Sequence, residues 1–245
     1  MRYFALSDIG KRRKENQDSW LSYTNTLINE FTIVVCDGMG GEKAGRTAST
    51  LAAMSYIEHV RACLSQTRRA SPDTIVRDAA SYANLRLYDH AFQHPECRGM
   101  GTTLVAALML GSVAAVINIG DSRAYLIEQD GGISRITNDH SFVAELVARG
   151  KLTKEQAKLH PRRNVITRAL GAEPEVKGDV FLLNPAPGDR LLLCTDGLSN
   201  QLTDEEISAF VCGSAEPEIA CRKLIDAVLE SGAPDNVTAA VLCIE

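Results

Sequence analysis

Ile33-Val34-Val35-Cys36-Asp37-Gly38-Met39-Gly40-Gly41 is the stretch on which the reading of this chain turns. Four apolar residues, rich in β-branching, spell a buried strand ending at Cys36. A carboxylate followed by three glycines within four positions spells a sharp exit from it. An Asp-Gly pair alone is an ordinary turn signal, and Asp130-Gly131-Gly132 reads as a hairpin loop between Tyr125-Leu126-Ile127 and Ile133. Leu191-Leu192-Leu193-Cys194-Thr195-Asp196-Gly197 repeats the first pattern, however: a second apolar strand running into Asp-Gly.

Working outward, strands are expected at Tyr3–Asp8, Ser19–Tyr23 and Phe31–Cys36, then a long helix from Ala44 to Leu64 with Leu51, Met54, Ile57, Val60 and Leu64 at helical spacing. A second helix, Asp73–His90, has Ser71 as its cap and Pro72 in its first turn. Three strands follow at Thr102–Leu110, Val113–Ile119 and Arg123–Glu128, and then short helices at Ser141–Arg149 and Thr153–His160, the latter opening on the capping box Thr153-x-x-Gln156. Strands at Val176–Leu183 and Arg190–Cys194, helices at Asp204–Val211 and Pro217–Ser231, and a last strand at Val237–Ile244 complete the chain. Strands and helices are grouped and joined by tight hairpins, which favours an α+β arrangement of antiparallel sheets over a doubly wound parallel sheet.

The 245 residues, 45% hydrophobic, suffice for a sizeable core, and no low-complexity linker or internal repeat divides them. No stretch reaches the roughly 20 apolar residues of a membrane-spanning helix, and the N-terminal apolar run is too short for a signal peptide, so a cytoplasmic protein is expected. Seven cysteines without a C-x-x-C pair read as buried thiols in a reducing compartment. Cys63 and Arg69 do stand at the C-x-x-x-x-x-R spacing of a cysteine phosphatase, but Cys63 falls inside the expected helix Ala44–Leu64 rather than in a phosphate loop. A formal charge of −5 argues against nucleic acid as a partner. Lys11-Arg12-Arg13-Lys14, the one basic cluster, reads for the most part as solvated surface, with Arg13 set apart.

The chemistry is carried by aspartates at strand boundaries: Asp37 and Asp196 at strand ends, Asp121 in a hairpin turn, Asp235 before the last strand. Each alone would be a turn or cap residue. In an antiparallel sheet, however, the end of one strand and the start of its neighbour share an edge, so these side chains can converge. Crowded carboxylates stay ionised only if cations neutralise them, and an all-oxygen set selects Mg²⁺ or Mn²⁺ rather than zinc. The glycines after Asp37 fit neither a dinucleotide loop nor a Walker A lysine loop. His90 and His94, four apart, lack a third ligand and read as a solvated helix end.

Seven ordered motifs then carry a family resemblance: Gly10-x-x-Arg13-x-x-Asn16-Gln17-Asp18, Asp37-Gly38-Met39-Gly40-Gly41, Gly99-Met100-Gly101-Thr102-Thr103, Ile119-Gly120-Asp121-Ser122-Arg123, Asp139-His140-Ser141, Thr195-Asp196-Gly197 and Pro234-Asp235-Asn236-Val237-Thr238. Together they resemble the metal-dependent serine/threonine protein phosphatases of the PP2C (PPM) family, in its compact bacterial form, over essentially the whole chain. The resemblance implies an αββα sandwich in one domain, residues 1–245, with a flap over about 141–171. It implies that Asp37 bridges two Mn²⁺ or Mg²⁺ ions, that the Gly38 carbonyl completes the second ion's shell, and that Asp196 and Asp235 bind the first. Asp121 would hold a third, weaker ion, Asp18 would orient water around the metals, and Arg13 would bind the substrate phosphate through its planar fork.

The implied reaction is hydrolysis of phosphoserine and phosphothreonine on proteins by direct attack of a metal-bridging hydroxide, with no phosphoenzyme. The implied partners are phosphorylated proteins and a bacterial serine/threonine kinase whose action the enzyme, a monomer, opposes; some stand-alone relatives do so in type VI secretion control. Met39 stands where eukaryotic relatives carry a histidine proposed as general acid, and Glu42 where many bacterial relatives carry histidine, a change expected to face solvent. The alternatives are a non-catalytic scaffold of the same fold, which predicts lost ligands, a two-metal phosphodiesterase, which predicts a basic groove, and a sigma-factor regulator, which often lacks the arginine of the first motif. The aspartates and Arg13 speak against the first and the last.

Overall fold

The computed structural model describes residues 1–25, 30–66 and 70–245. Its strands are β1 (Arg2–Asp8), β2 (Asp18–Asn25), β3 (Glu30–Met39), β4 (Gly101–Thr102), β5 (Leu104–Leu110), β6 (Val113–Ile119), β7 (Arg123–Ile127), β8 (Ile133–Arg135), β9 (Asp179–Leu183), β10 (Arg190–Cys194) and β11 (Val237–Cys243). The helices are α1 (Glu42–Leu64), α2 (Pro72–Gln93), α3 (Phe142–Ala148), α4 (Lys154–Leu159), α5 (Asp196–Ser199), α6 (Asp204–Cys212) and α7 (Pro217–Glu230), with a 3-10 turn at Pro95–Cys97. One sheet has the order β1-β11-β10-β7-β8 and the other β2-β3-β5-β6-β9, with β4 pairing to β3, and every pairing is antiparallel.

Side-chain alternation builds four layers from these two sheets. In β3, Val34 and Cys36 pack under α1 and α2, whereas Ile33 and Val35 face the other sheet. In β10, Leu191 and Leu193 meet them between the sheets, while Leu192 and Cys194 face the layer of α5, α6 and α7. The apolar runs are therefore unbroken because both strand faces are buried. A fully buried Val, Leu or Ile contributes roughly 1.5–3 kcal/mol, and a one-residue slip would exchange the two faces of the strand, so the register is strongly specified.

Several boundaries differ from the sequence expectation. β3 does not end at Cys36: it runs on through Asp37 to Met39, because Gly38 and Met39 pair with Thr102 and Gly101 of β4. Ser71 does occupy the N-cap of α2, but its hydroxyl bonds the Thr74 hydroxyl at 2.9 Å and caps no backbone N–H. β9 begins at Asp179 instead of Val176, since the carbonyls of Lys177 and Gly178 are taken by the Arg168 and Arg77 side chains rather than by a strand. The one-turn α5 is too short to show a period. The capping box of α4 and the Asp130-Gly131-Gly132 hairpin between β7 and β8 form as read.

All seven cysteines are free, and Cys36, Cys194 and Cys243 are buried. The His90 and His94 rings stack at 4.2 Å, and no third ligand joins them among the described residues. The side chain of Glu42 lies outside the described set. Among the described residues no helix is long and apolar enough to cross a membrane.

Candidate metal and phosphate site

The register brings the aspartates to one end of the sandwich. Asp18 opens β2 directly opposite Asp37 in β3, while the end of β10 lies beside the start of β7 and of β11. Asp196, at the first position of α5, and Asp235, just before β11, thus reach the same edge as Asp121 in the β6–β7 turn. Asp37, Asp121, Asp196 and Asp235 line a cavity of ≈ 480 Å³ together with Gly38, Met39 and Arg13.

Hydroxyls hold this end together. The Thr103 hydroxyl accepts from the Asp37 backbone N–H at 2.9 Å and bonds the Ser122 hydroxyl at 2.7 Å, which ties the bridging candidate to the Asp121 turn. The Thr102 hydroxyl and the Thr103 N–H both donate to the Asp37 carbonyl. Asp18 is buried, and its Oδ2 accepts from the Thr195 and Thr238 hydroxyls at 2.9 and 2.7 Å. At Gly38 only glycine fits, because a Cβ there would run into the Gly45 carbonyl of α1. The sequence motifs contained Thr102, Thr103, Thr195 and Thr238, but nothing local showed that their hydroxyls brace the carboxylates.

The electrostatics are those of crowded acids. Burial first, and then Asp18, Asp196, Asp121 and Asp235, hold the Asp37 carboxyl well above the ordinary carboxylate range. Burial pushes Asp18 up to about 7 against the pull of its two threonine hydroxyls, and burial with the Asp196 charge pushes Asp121 up to about 7. Asp196 is raised by burial and by Asp235, and it lies close enough to Asp37 to share a hydrogen bond. The principal cation facing this set is Arg13, whose Nη2 donates to Asp235 Oδ2 at 2.7 Å.

These residues fit divalent cations on two grounds. Asp18 Oδ1 is buried without a protein partner, which a water oriented beside a metal would satisfy. The donors are all oxygen, as Mg²⁺ and Mn²⁺ require. Among the described residues no three His, Cys, Asp or Glu side chains already stand as a closed ligand cluster: Asp235 is turned to Arg13, and Asp196 Oδ2 accepts from Asn200 at 3.0 Å.

No histidine lines the cavity, and Met39, which does, has no proton to give. His140 lies behind the Asp121 turn, with Nδ1 accepting from the Gly120 N–H at 3.1 Å and Nε2 3.2 Å from Asp179 Oδ2. Residues 141–171 carry α3 and α4 and return along bridges Ser141–Ile166 and Thr102–Leu170, which puts Asn164 and Ile166 on the cavity wall. The basic cluster is not the plain surface expected of it, since Arg12 and Lys14 line the cavity beside Arg13.

Comparison with known proteins agrees with this geometry. A family profile described as protein phosphatase 2C matches residues 10–239. The serine/threonine phosphatase stp of Listeria welshimeri is 34% identical over 239 residues, covering 98% of this chain and 93% of that protein. The crystal structure of the Mycobacterium tuberculosis serine/threonine phosphatase PstP/Ppp superposes with a TM-score of 0.88 at 36% identity, covering 100% of this chain and 98% of that one. The catalytic domain of PstP in complex with two manganese ions superposes with a TM-score of 0.85 at 34% identity, covering 100% of this chain and 98% of that one.

Proposed function

The chain belongs to the metal-dependent protein phosphatase 2C family and is a serine/threonine protein phosphatase, and from that premise we propose how its residues share the work. Asp37, Asp196, Asp235 and the Gly38 carbonyl hold two divalent cations, Mn²⁺ or Mg²⁺, and Asp121 with Asp196 holds a third. The observation that carries this reading is the convergence of four mutually repelling aspartates and one arginine in a single cavity. Cations bound there supply Lewis-acid charge to the phosphoryl oxygens and bring the pKa of a water molecule from 15.7 towards about 7.

The remaining steps belong to the chain's own groups. The Arg13 guanidinium, held at the rim by Asp235, presents its free donors to two phosphoryl oxygens. Asp18, fixed through Oδ2 by Thr195 and Thr238, offers Oδ1 to orient the attacking water. Asp37 is positioned within a paired strand by Thr102 and Thr103, so its carboxylate does not depend on a flexible turn. With Met39 on the wall and no histidine there, the leaving serine or threonine oxygen takes its proton from water rather than from an imidazole. Residues 141–171 act as a flap that frames the phosphoprotein segment. The substrates are proteins phosphorylated by a serine/threonine kinase that this enzyme opposes.

Hydrolysis of p-nitrophenyl phosphate and of a phosphothreonine peptide tests the reading. Both should require added Mn²⁺ or Mg²⁺, stop with EDTA, and fall by orders of magnitude in Asp37→Asn and Asp196→Asn. Metal-independent turnover, or full activity in both variants, would refute it.

A further inference from the structure

We propose that the mouth of the cavity selects phosphoprotein segments whose phosphorylated residue is flanked by acidic residues, and that Arg12 and Lys14 read those flanks. This rests on the phosphatase reading above and deepens it by naming a class of substrate.

The loop that carries these side chains, residues 9–17, is fixed by backbone contacts. The Lys11 N–H donates to the Ala233 carbonyl at 2.9 Å, and the Asn236 amide donates to the carbonyls of Ile9 and Glu15 at 2.9 and 3.0 Å. The Asn236 side-chain Oδ1 accepts from the Gln17 N–H at 2.9 Å. Gly10, at φ +74°, passes so near the Asp235 carbonyl that a Cβ would collide with it. The loop is therefore bolted to the segment that bears Asp235, and its side chains emerge at a defined place on the rim.

Arg12, Arg13 and Lys14 are exposed and all line the cavity. Arg13 is engaged by Asp235, and Glu15 of the same loop is 3.5 Å from Arg46. Arg12 and Lys14 make no ion pair among the described residues. Residues 141–171 hold seven Lys/Arg against two Asp/Glu in a chain of net charge −5, and they contribute Asn164 and Ile166 to the cavity lining. Of those two acids, Glu145 is already paired with Arg149 at 3.5 Å. An acidic floor suited to cations thus lies beside a basic rim formed by Arg12, Arg13 and Lys14.

Along an extended peptide each residue adds about 3.3 Å, so side chains one to three positions from the phosphoresidue fall at the rim, within the screening length of about 8–10 Å. A flanking carboxylate meets Arg12 or Lys14 there, whereas a flanking lysine meets charges of its own sign.

The test compares phosphothreonine peptides of equal length flanked by Glu, Gln or Lys, with p-nitrophenyl phosphate as a substrate without flanks. The Glu-flanked peptide should exceed the Gln-flanked one by roughly three- to tenfold in kcat/KM, mainly through KM, with the Lys-flanked peptide poorest. The preference should collapse near 1 M salt, where the screening length is about 3 Å. An Arg12→Glu/Lys14→Glu variant should invert the order of the Glu- and Lys-flanked peptides. Equal kcat/KM for the three peptides, or an order unchanged in the reversed variant, overturns the proposal while p-nitrophenyl phosphate hydrolysis upholds the phosphatase. No hydrolysis of any substrate overturns both.

Discussion

Arg13 Nη2 lies 2.7 Å from Asp235 Oδ2, so the guanidinium assigned to the phosphate is positioned by a carboxylate assigned to a metal. That hydrogen bond holds the Arg13 pKa above its usual value, and the remaining fork nitrogens stay available to a planar pair of acceptors. Arg13→Ala should lower kcat/KM for p-nitrophenyl phosphate by about ten- to a hundredfold, the range of a lost charge-assisted hydrogen bond. Arg13→Lys should recover only part of it, because an ammonium cannot serve Asp235 and two phosphoryl oxygens together. Steady-state kinetics at saturating Mn²⁺ decide this, and full rescue by lysine would show that charge alone matters.

The aspartate cluster predicts how metal and pH act on stability. A carboxyl with a raised folded-state pKa favours the protonated fold, so its contribution is complete below its ordinary value of 3.8. It is lost as pH rises through about 7 for Asp18 and Asp121. In EDTA the melting temperature should therefore fall relative to the Mn²⁺-loaded protein as pH rises from about 5 to about 7. Asp37→Asn in EDTA at neutral pH should melt at or above the wild type, by about 2–4 °C for each kcal/mol of repulsion relieved, while losing most of the Mn²⁺-induced shift. Thermal melts with and without metal supply the check. A lower metal-free melting temperature in this variant would contradict the repulsion.

Asp121 sits in a turn braced by Ser122 to Thr103 and by the two-pronged Arg123–Asp139 pair at 2.9 and 2.7 Å. Because this frame does not depend on the Asp121 carboxylate, Asp121→Ala should fold normally and retain two ions, with turnover slowed roughly ten- to a hundredfold. Metal stoichiometry alongside kinetics separates the outcomes. Loss of both tightly held ions would place Asp121 in the core pair.

His140 joins the Asp121 turn to the segment carrying α3 and α4. Its N–H donates to the Gly120 carbonyl at 2.9 Å, its Nδ1 accepts from the Gly120 N–H, and its carbonyl accepts from the Thr167 N–H at 2.8 Å. Burial lowers its pKa, which keeps the ring neutral and Nδ1 free to accept. His140→Ala leaves the buried Gly120 N–H without a side-chain partner and should cost about 1–3 kcal/mol. It should also speed amide exchange at Gly120. Denaturant melts and hydrogen exchange test this, and unchanged protection would show that the imidazole braces nothing.

Much of the site was legible in residue order. The unbroken apolar runs before Asp37 and Asp196 announced strands buried on both faces, and Asp121 and Asp235 stood where turns deliver side chains to a sheet edge. The motif containing His140 was legible but its bracing role was not, because a buried histidine accepting from a backbone N–H has no local signature. Nor were the hydroxyls of Thr195 and Thr238, whose partner Asp18 lies 177 and 220 positions away in the chain. Arg12 and Lys14 looked like solvated surface, since only their place on the cavity wall distinguishes them.

By itself the amino-acid sequence determined most of the strand and helix segments, and it singled out the aspartates and one arginine as candidates for the chemistry. Periodicity and local sterics act within a few residues, so they can be read there. Tertiary structure alone decided that residues from Arg13 to Asp235 line one cavity, that β3 carries Asp37 inside a paired strand, and that a basic loop is bolted beside an acidic floor. Those outcomes depend on antiparallel register and on the packing of two sheets, in which contacts between distant residues select one arrangement that no short stretch specifies.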